Sequence, residues 1–308
     1  MGEQKIKKGW DLYLYYWTFP ILIGFILLNY FSRNFRIDTL NIDLMTSIVT
    51  FLFGFLISIT FTMIITRTSA LKEALSQETG RLISLYSLSK KLGNNFHDKI
   101  KDRIDNYTMK TLKDYTHYES GREENYGIYE DSSFMEIKTK SQESQADSFF
   151  YILGEFQPTR ERIEYLTSTR LMKSLKFSTY LLGILLIILL FLNRGDTFTN
   201  FLFIILSTIV IFIFLIIEDY DNLKIGDYTA NISNSEQIFD LIGKERYYPQ
   251  RLLSRVKLEN RKKYRIGFYD SLLKEEKVFE ITYNSAFKMK INNLLKRFKK
   301  EEEKEEEK

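Results

Sequence analysis

Four stretches of the sequence are apolar and without charge, and they constrain the fold more than any other feature. They cover residues 12–32, 44–66, 177–193 and 197–217. The hydrocarbon core of a bilayer is about 30 Å thick, so a helix that crosses it needs about 20 apolar residues. We therefore expect an all-α membrane protein with four transmembrane helices. The polar remainder should form long cytoplasmic helices and a small mixed α/β C-terminal tail domain.

Lysines and arginines near the ends of these stretches predict the orientation of the chain. Cytoplasmic loops carry an excess of both residues. Basic residues precede the first and third stretches and follow the second, whereas the two short loops hold only Arg33, Arg36 and Arg194. We expect a multi-pass protein of the cell membrane with both termini in the cytoplasm.

The composition argues against catalysis and against binding of nucleic acid. The 308 residues include no cysteine and two histidines, which excludes thiol nucleophiles and cysteine metal sites. No glycine-rich phosphate loop or Gly-x-Ser-x-Gly sequence occurs. Glu73 and Glu78 follow the second stretch closely enough to line a cytoplasmic vestibule, but they give no enclosed acid–base site. The net charge of +4 is too small to indicate a nucleic acid partner.

The polar part of the chain is expected to be mainly helical before the third stretch and mixed after the fourth. Leucines three and four residues apart predict a helix that continues from the second stretch, with a break at Gly93 and a further helix up to residue 119. Residues 120–145 lack periodicity and predict a loop or a weakly ordered insertion, after which helix resumes near Asp147. Short strands are expected over 228–232, 264–269 and 278–283, and helices over 235–241 and from Ser285.

These expectations divide the chain into five regions. They are an N-terminal arm with the first two spans (1–66), a cytoplasmic helical region with a polar insertion near 120–145 (67–176), the last two spans (177–217), a cytoplasmic C-terminal region (218–300) and a charged tail (301–308).

Short sequences between residues 44 and 226 occur in an order and spacing that resemble a known family. They are Phe53-Gly54-Phe55-Leu56, then Ala74, Glu78, Leu82 and Tyr86, then Ile104 and Tyr107, then Arg160, Arg162 and Leu166, and finally Asp221 and Gly226. In this the chain resembles the bestrophin-like membrane proteins, which are relatives of the bestrophin channels. It departs from them at Leu223 and Lys224, where Pro-Phe is usual, and at Asp114-Tyr115, where Glu-Trp is frequent.

Bestrophins are pentameric ion channels whose second span lines a narrow apolar neck. The resemblance therefore implies a homo-oligomeric pore, with a pentamer as one assembly. It leaves ion selectivity open, because the relatives include both anion and cation channels.

The second span carries two stripes of side chains that bear on such a pore. Small or hydroxylated residues recur every four positions at Thr46, Thr50, Gly54, Ser58 and Thr62. A second stripe, about 100° around the helix, is formed by Phe51, Phe55 and Ile59. We expect the first to pack against a neighbouring helix and the second to form a neck that gates by dewetting. The alternative is that both stripes pack inside one subunit.

Two charged clusters are candidate binding sites outside the spans. Oxygen ligands follow the fourth span at Glu218, Asp219, Asp221 and Asn222, which makes a candidate cation site, with calcium as the ion. Animal bestrophins form a calcium clasp at the corresponding place. The alternative is a solvated helix end.

Basic residues are concentrated in the C-terminal region, at Arg251, Arg255, Lys257, Arg261, Lys262, Lys263 and Arg265. We consider contact with anionic lipid, beside a solvated surface or intersubunit ion pairs. His97 and His117 have no second ligand in view and are expected to be surface or packing residues.

Taken together, these features favour a channel for small ions whose partners are the bilayer, copies of the same chain and inorganic ions. Two other classes stay open. One is a membrane-anchored sensor or scaffold whose cytoplasmic helices bind a partner, and the other is an effector that permeabilises the membrane when triggered.

Overall fold

The structure is a computed structural model that describes residues 11–32, 42–113, 122–221, 227–253, 256–270 and 275–283. It is mainly helical, with one small sheet near the C-terminus. The helices are α1 (Asp11–Phe31), α2 (Ile42–Ser89), α3 (Asn94–Lys113), α4 (Arg122–Asp131), α5 (Lys140–Ser168), α6 (Lys173–Leu192), α7 (Thr197–Asp221) and α8 (Asp227–Ile242). The strands are β1 (Arg246–Pro249), β2 (Lys263–Asp270) and β3 (Glu275–Thr282).

The chain divides into two compact units. The apolar unit consists of Lys8–Lys72 and Leu166–Tyr228, and the polar unit consists of Met1–Lys7, Glu73–Tyr165 and Thr229–Lys308. Helix α2 contributes its first part to the apolar unit and its second part to the polar unit.

The helices of the apolar unit pack through bulky aliphatic and aromatic side chains. One core cluster joins α2, α6 and α7 through Val49, Phe53, Leu186 and Val210. In the described part of the chain, three helical segments are long and apolar enough to cross a membrane, and they lie within Ile42–Ser89, Lys140–Leu192 and Thr197–Asp221. The apolar stretch of α1 is shorter, at Trp17–Phe31. The count of four spans therefore stays a prediction.

The expected continuation of the second span is confirmed. Helix α2 runs without interruption for 48 residues, from Ile42 to Ser89. Gly93 has a positive φ of 117°, a backbone conformation that glycine adopts without steric cost, and α3 begins at the next residue.

The prediction of a loop over residues 120–145 is wrong for much of that range. Helix α4 covers Arg122–Asp131, and α5 begins at Lys140, earlier than Asp147. Contacts from α3 stabilise α4, because Lys110 of α3 lies 2.8 Å from the buried Glu124 carboxylate. Local periodicity gives no sign of such contacts.

The C-terminal region is mixed, as expected, but one strand was misplaced. Residues 228–232 belong to α8, whose buried residues Ile232, Ser235, Phe239 and Ile242 recur at helical spacing. The strands expected over 264–269 and 278–283 are confirmed as β2 and β3, and β1 pairs with β2 in parallel while β2 and β3 are antiparallel. The helix expected from Ser285 lies outside the described residues.

Gly183 of α6 allows two aromatic rings to approach the helix backbone. A methyl group added there would lie 2.2 Å from Phe214 Cζ and 2.9 Å from Phe53 Cε2. We predict that Gly183→Ala lowers the free energy of unfolding by about 1–3 kcal/mol, because both rings must move. Thermal unfolding in detergent measures this. Gly24→Ala is the matched control, since nothing lies within 4 Å of its added methyl group; an equal loss in both variants would contradict the close packing at Gly183.

Candidate functional site

In the apolar unit, one face of α2 packs against other helices of the same subunit. Val49, Phe53, Thr60 and Ile64 are buried at helical spacing on that face. Thr60 Oγ1 also lies 3.3 Å from Thr179 Oγ1 of α6, so the two hydroxyl groups share a hydrogen bond between the helices.

Apart from Thr46, the residues of both predicted stripes lie outside this buried face of α2. Phe51 is 74% exposed, Phe55 59% and Ile59 36%. Of the small stripe, Thr50, Gly54, Ser58 and Thr62 are exposed and Thr46 is half-buried. The roles of the two stripes, in a neck and in helix packing, stay predictions.

Hydroxyl groups on the exposed face are hydrogen-bonded to the helix itself. Thr46 Oγ1 donates to the Ile42 carbonyl at 2.8 Å, Thr50 Oγ1 to the Thr46 carbonyl at 2.7 Å and Thr62 Oγ1 to the Ser58 carbonyl at 2.8 Å. Because these donors are satisfied, the face can meet another helix without leaving buried polar groups unpaired. It is therefore suited to close packing in an apolar environment.

The acidic residues at the end of α7 contact basic side chains. Lys176 Nζ lies 2.8 Å from Glu218 Oε2 and 3.1 Å from Asp221 Oδ2. Asp221 also accepts a hydrogen bond from the Leu171 backbone N–H at 2.8 Å. Among the described residues no group of three histidines or acids is placed to hold a metal ion. Asn222, the fourth member of the candidate cation site, lies outside the described residues, as do Leu223, Lys224 and Gly226.

Arg67 of α2 links three helices at this end of the apolar unit. Its Nε donates to the Leu166 carbonyl of α5 at 2.8 Å, and its Nη1 lies 3.5 Å from the Asp221 carboxylate of α7. Arg67 follows the second apolar stretch and Lys176 precedes the third, so both are among the basic residues that predict the orientation of the chain. Their partners are 154 and 45 residues away along the sequence, so no local pattern reveals them.

A buried ionic network lies in the polar unit. Glu78 of α2 accepts a hydrogen bond from Tyr107 of α3 and lies 3.4 Å from Arg160 Nη1 of α5. Burial and the Glu78 carboxylate raise the pKa of Tyr107 well above its ordinary value, so the phenol stays protonated and donates. Glu78 thus joins the three helices.

Glu73 differs from Glu78 in its surroundings. Its side chain is 59% exposed, whereas that of Glu78 is 8% exposed. Gln77 Nε2 donates to Glu73 Oε1 at 3.0 Å, and Arg162 Nη2 of α5 lies 3.7 Å from Glu73 Oε2. Of the two carboxylates considered for a vestibule, only Glu73 is accessible.

The C-terminal basic residues do not form one uniform surface. Lys257, Arg261, Lys262 and Lys263 are exposed. Arg265, in contrast, is buried and makes two hydrogen bonds to Asp105 of α3, at 2.6 and 2.7 Å. The side chain of Arg251 and the whole of Arg255 lie outside what the structure describes.

His97 has a packing role, as expected. Its ring lies 4.8 Å from that of Tyr86, and its Nδ1 lies 2.7 Å from Ser89 Oγ. Burial and the charge of Lys90 lower the pKa of His97, so the neutral ring prevails at neutral pH. His117 lies outside the described residues.

Comparison with known proteins gives a family and a fold. The family model for the bestrophin-like domain matches residues 20–229. No curated protein sequence matches the chain significantly. A crystal structure of a bacterial bestrophin homologue from Klebsiella pneumoniae is similar with a TM-score of 0.53 at 11% identity, over 76% of this chain and 99% of that one. A mutant of a bestrophin homologue from the same organism has a TM-score of 0.54 at 10% identity, over 75% and 99% of the two chains.

Removal of Arg160 should show how strongly the stability of the protein depends on the cation beside the buried Glu78. We predict that Arg160→Met lowers the free energy of unfolding by about 3–5 kcal/mol, because it leaves the carboxylate buried without its cation. Adding Glu78→Gln to this variant should restore part of the loss. Chemical unfolding of the purified protein measures both effects. Arg81→Met is the control, since Arg81 pairs with the half-exposed Glu155 and should lose less than about 1 kcal/mol; equal losses at the two arginines would contradict this account.

Proposed function

Because the chain belongs to the bestrophin-like family, whose known members are ion channels, we propose that it is a homo-oligomeric channel that passes small ions through a neck lined by α2. The observation that carries the proposal is the exposed side of α2 in the apolar unit. That side holds both a stripe of small residues and a stripe of large apolar ones.

The small stripe supports an assembly of several copies. A Cβ atom added at Gly54 would have no atom within 4 Å, apart from those of the adjacent residues and the backbone of its own helix. Glycine inside a helix costs about 1 kcal/mol relative to alanine, and a close contact with a neighbouring copy would offset this cost at Gly54. Small residues let membrane helices approach closely. The stripe from Thr46 to Thr62 is thus suited to contact α2 of a neighbouring copy.

The second stripe supports a constriction. With the small stripe against a neighbour, Phe51, Phe55 and Ile59 lie about 100° around the helix and turn towards a shared axis. Rings of such side chains form an apolar neck that gates by losing its water. The neck itself does not select between anions and cations.

The remaining parts of the proposal concern the membrane. We place four spans in the cell membrane, including α1, and both termini in the cytoplasm, on the distribution of basic residues. Exposed Lys257, Arg261, Lys262 and Lys263 carry positive charge that anionic lipid headgroups attract.

The oligomeric state separates this proposal from a membrane-anchored sensor. We expect the detergent-solubilised protein to be an oligomer, so its mass, corrected for bound detergent, should be several times the 36.7 kDa of one chain. A monomer at all concentrations would contradict the channel and favour the sensor. An effector that permeabilises membranes would form the same oligomer but would be toxic to cells when triggered.

Shortening both aromatic side chains should open the neck. We predict that Phe51→Ala with Phe55→Ala raises the conductance of purified protein in planar bilayers, because the constriction widens and becomes easier to wet. Single-channel recording measures this. Phe198→Ala with Phe201→Ala is the matched control, since these phenylalanines are exposed on α7 and should not alter conductance. Unchanged conductance in the α2 variant would remove the neck from this position.

A further inference from the structure

Helix α2 presents a face of small side chains in the polar unit. Its buried residues there, among them Leu75, Leu82 and Leu85, lie on one side of the helix. At 3.6 residues per turn the opposite side, which we call the small face, holds Ser76, Gly80, Ser84 and Ser87. Ser84 is half-buried and the other three are exposed, so the small face is accessible from outside the unit.

The small face leaves room for a large side chain from another molecule. A Cβ atom added at Gly80 would have no atom within 4 Å, apart from those of the adjacent residues and the backbone of its own helix. Ser84 Oγ donates to the Gly80 carbonyl at 2.9 Å, and Ser87 Oγ donates to the Ile83 carbonyl at 2.8 Å. Because both hydroxyl groups are satisfied within the helix, an apolar group can cover them without leaving a donor unpaired.

Tyr151 of α5 is a large side chain that its own subunit leaves uncovered. The buried residues of α5, among them Phe149, Leu153 and Phe156, lie on one side of this helix, and Tyr151 lies on the other. It is 73% exposed, and none of the described residues forms a hydrogen bond or a ring contact with it. A covered aromatic ring gains apolar contact area, while the tyrosine hydroxyl can stay at the wet rim of a contact.

Charges at one end of the two helices are complementary. Lys90 and Lys91 follow the small face, and Glu143 and Asp147 lie near the start of α5. All four are exposed, and none of them forms an ion pair with another described residue. Opposite charges that are unpaired in one subunit are suited to meet across a contact between two copies.

The register of α2 against α5 shows which parts of the two helices share a level. Within one subunit Gln142 Nε2 donates to the Lys91 carbonyl at 3.1 Å, and Arg81 Nη2 lies 3.3 Å from Glu155 Oε2. The two helices are thus antiparallel, and the middle of the small face lies at the level of Tyr151. Rotation about an axis that runs along these helices keeps every residue at its level. In a ring of copies with such an axis, Tyr151 is therefore level with the small face of the next copy.

We propose that Tyr151 of one copy packs on the small face of the next copy, with Lys90 and Lys91 opposite Glu143 and Asp147. This inference rests on the proposed function, because both require several copies of the chain. All residues of the contact belong to the polar unit. The two surfaces are different, so the contact is heterologous and repeats from copy to copy until the ring closes.

Cross-linking between single cysteines tests the contact, since the chain has no cysteine of its own. Ser84→Cys and Gly154→Cys leave Tyr151 in place, and a Cβ atom added at Gly154 meets no side chain within 4 Å other than those of the adjacent residues. We expect the double variant, treated in detergent with a short bismaleimide, to give a ladder of covalent multimers on a denaturing gel. Each single variant should run as a monomer.

The matched control combines Ser84→Cys with Ser133→Cys, since Ser133 is an exposed serine beyond α4, and it should give no ladder. Three results would overturn the contact and leave the proposed channel standing. They are an oligomer of unchanged mass in which the double variant gives no ladder, a control with an equal ladder, and cross-linked dimers of Ser84→Cys alone. A protein that is monomeric before cross-linking would overturn the proposed function as well.

Charge reversal gives a second measurement that needs no cysteine. A reversed-lysine chain carries Lys90→Glu with Lys91→Glu, and a reversed-acid chain carries Glu143→Lys with Asp147→Lys. Each alone should raise the protein concentration at which half of the oligomer dissociates by about tenfold, because like charges then face each other. A mixture of the two chains should associate more tightly than either alone, because a contact between unlike chains again pairs opposite charges. Mixing does not restore pairs within one chain.

The control for the mixture is Asp98→Lys with Glu130→Lys, which makes the same change of net charge at exposed carboxylates elsewhere on the polar unit. Mixed with the reversed-lysine chain, it should restore association less than the reversed-acid chain does. Equal restoration, or mixed chains that associate no better than each chain alone, would overturn the contact.

Discussion

The structure depends on the division of α2 into two opposite sides. On one side, bulky residues such as Phe53 and Ile64 are buried against α6 and α7, and this burial stabilises the apolar unit. On the other side the same helix presents Gly54 and the large apolar Phe51 and Phe55, all of which are exposed. A helix that packs on one side only requires lipid, or other copies of the chain, on its second side.

Charges inside this fold are balanced locally. Glu78 is opposed by Arg160 and receives the Tyr107 hydroxyl, and Asp221 is opposed by Arg67 and Lys176. Such pairs cost desolvation and add little net stability, but removal of one member is expensive because the other stays buried. They join helices that are far apart in sequence. Glu73 differs from these residues, because its side chain is exposed and its ion pair with Arg162 lies at the surface of the polar unit.

The periodicity of apolar residues predicted an element correctly where the local sequence alone determines its structure. It failed where contacts with residues distant in sequence stabilise the element. The continuity of α2 was predictable because nothing between Ile65 and Ala74 interrupts a helix. Helix α4 was not, because its buried Glu124 is stabilised by Lys110 of another helix. The sequence was enough to predict which residues of α2 share a face. The residues that contact Asp221 could be identified only from the structure. Arg265 was grouped with basic surface residues, but it is buried against Asp105, 160 residues away.

The central claim is that the side of α2 left open by its own chain is covered by further copies around a water-filled axis. An experimental structure of the purified assembly in lipid tests it most directly. The account predicts a ring in which Phe51 and Phe55 point to the symmetry axis and Gly54 lies against the α2 helix of the next subunit. A structure in which that side of α2 contacts lipid, or in which a single copy stands alone, would contradict it.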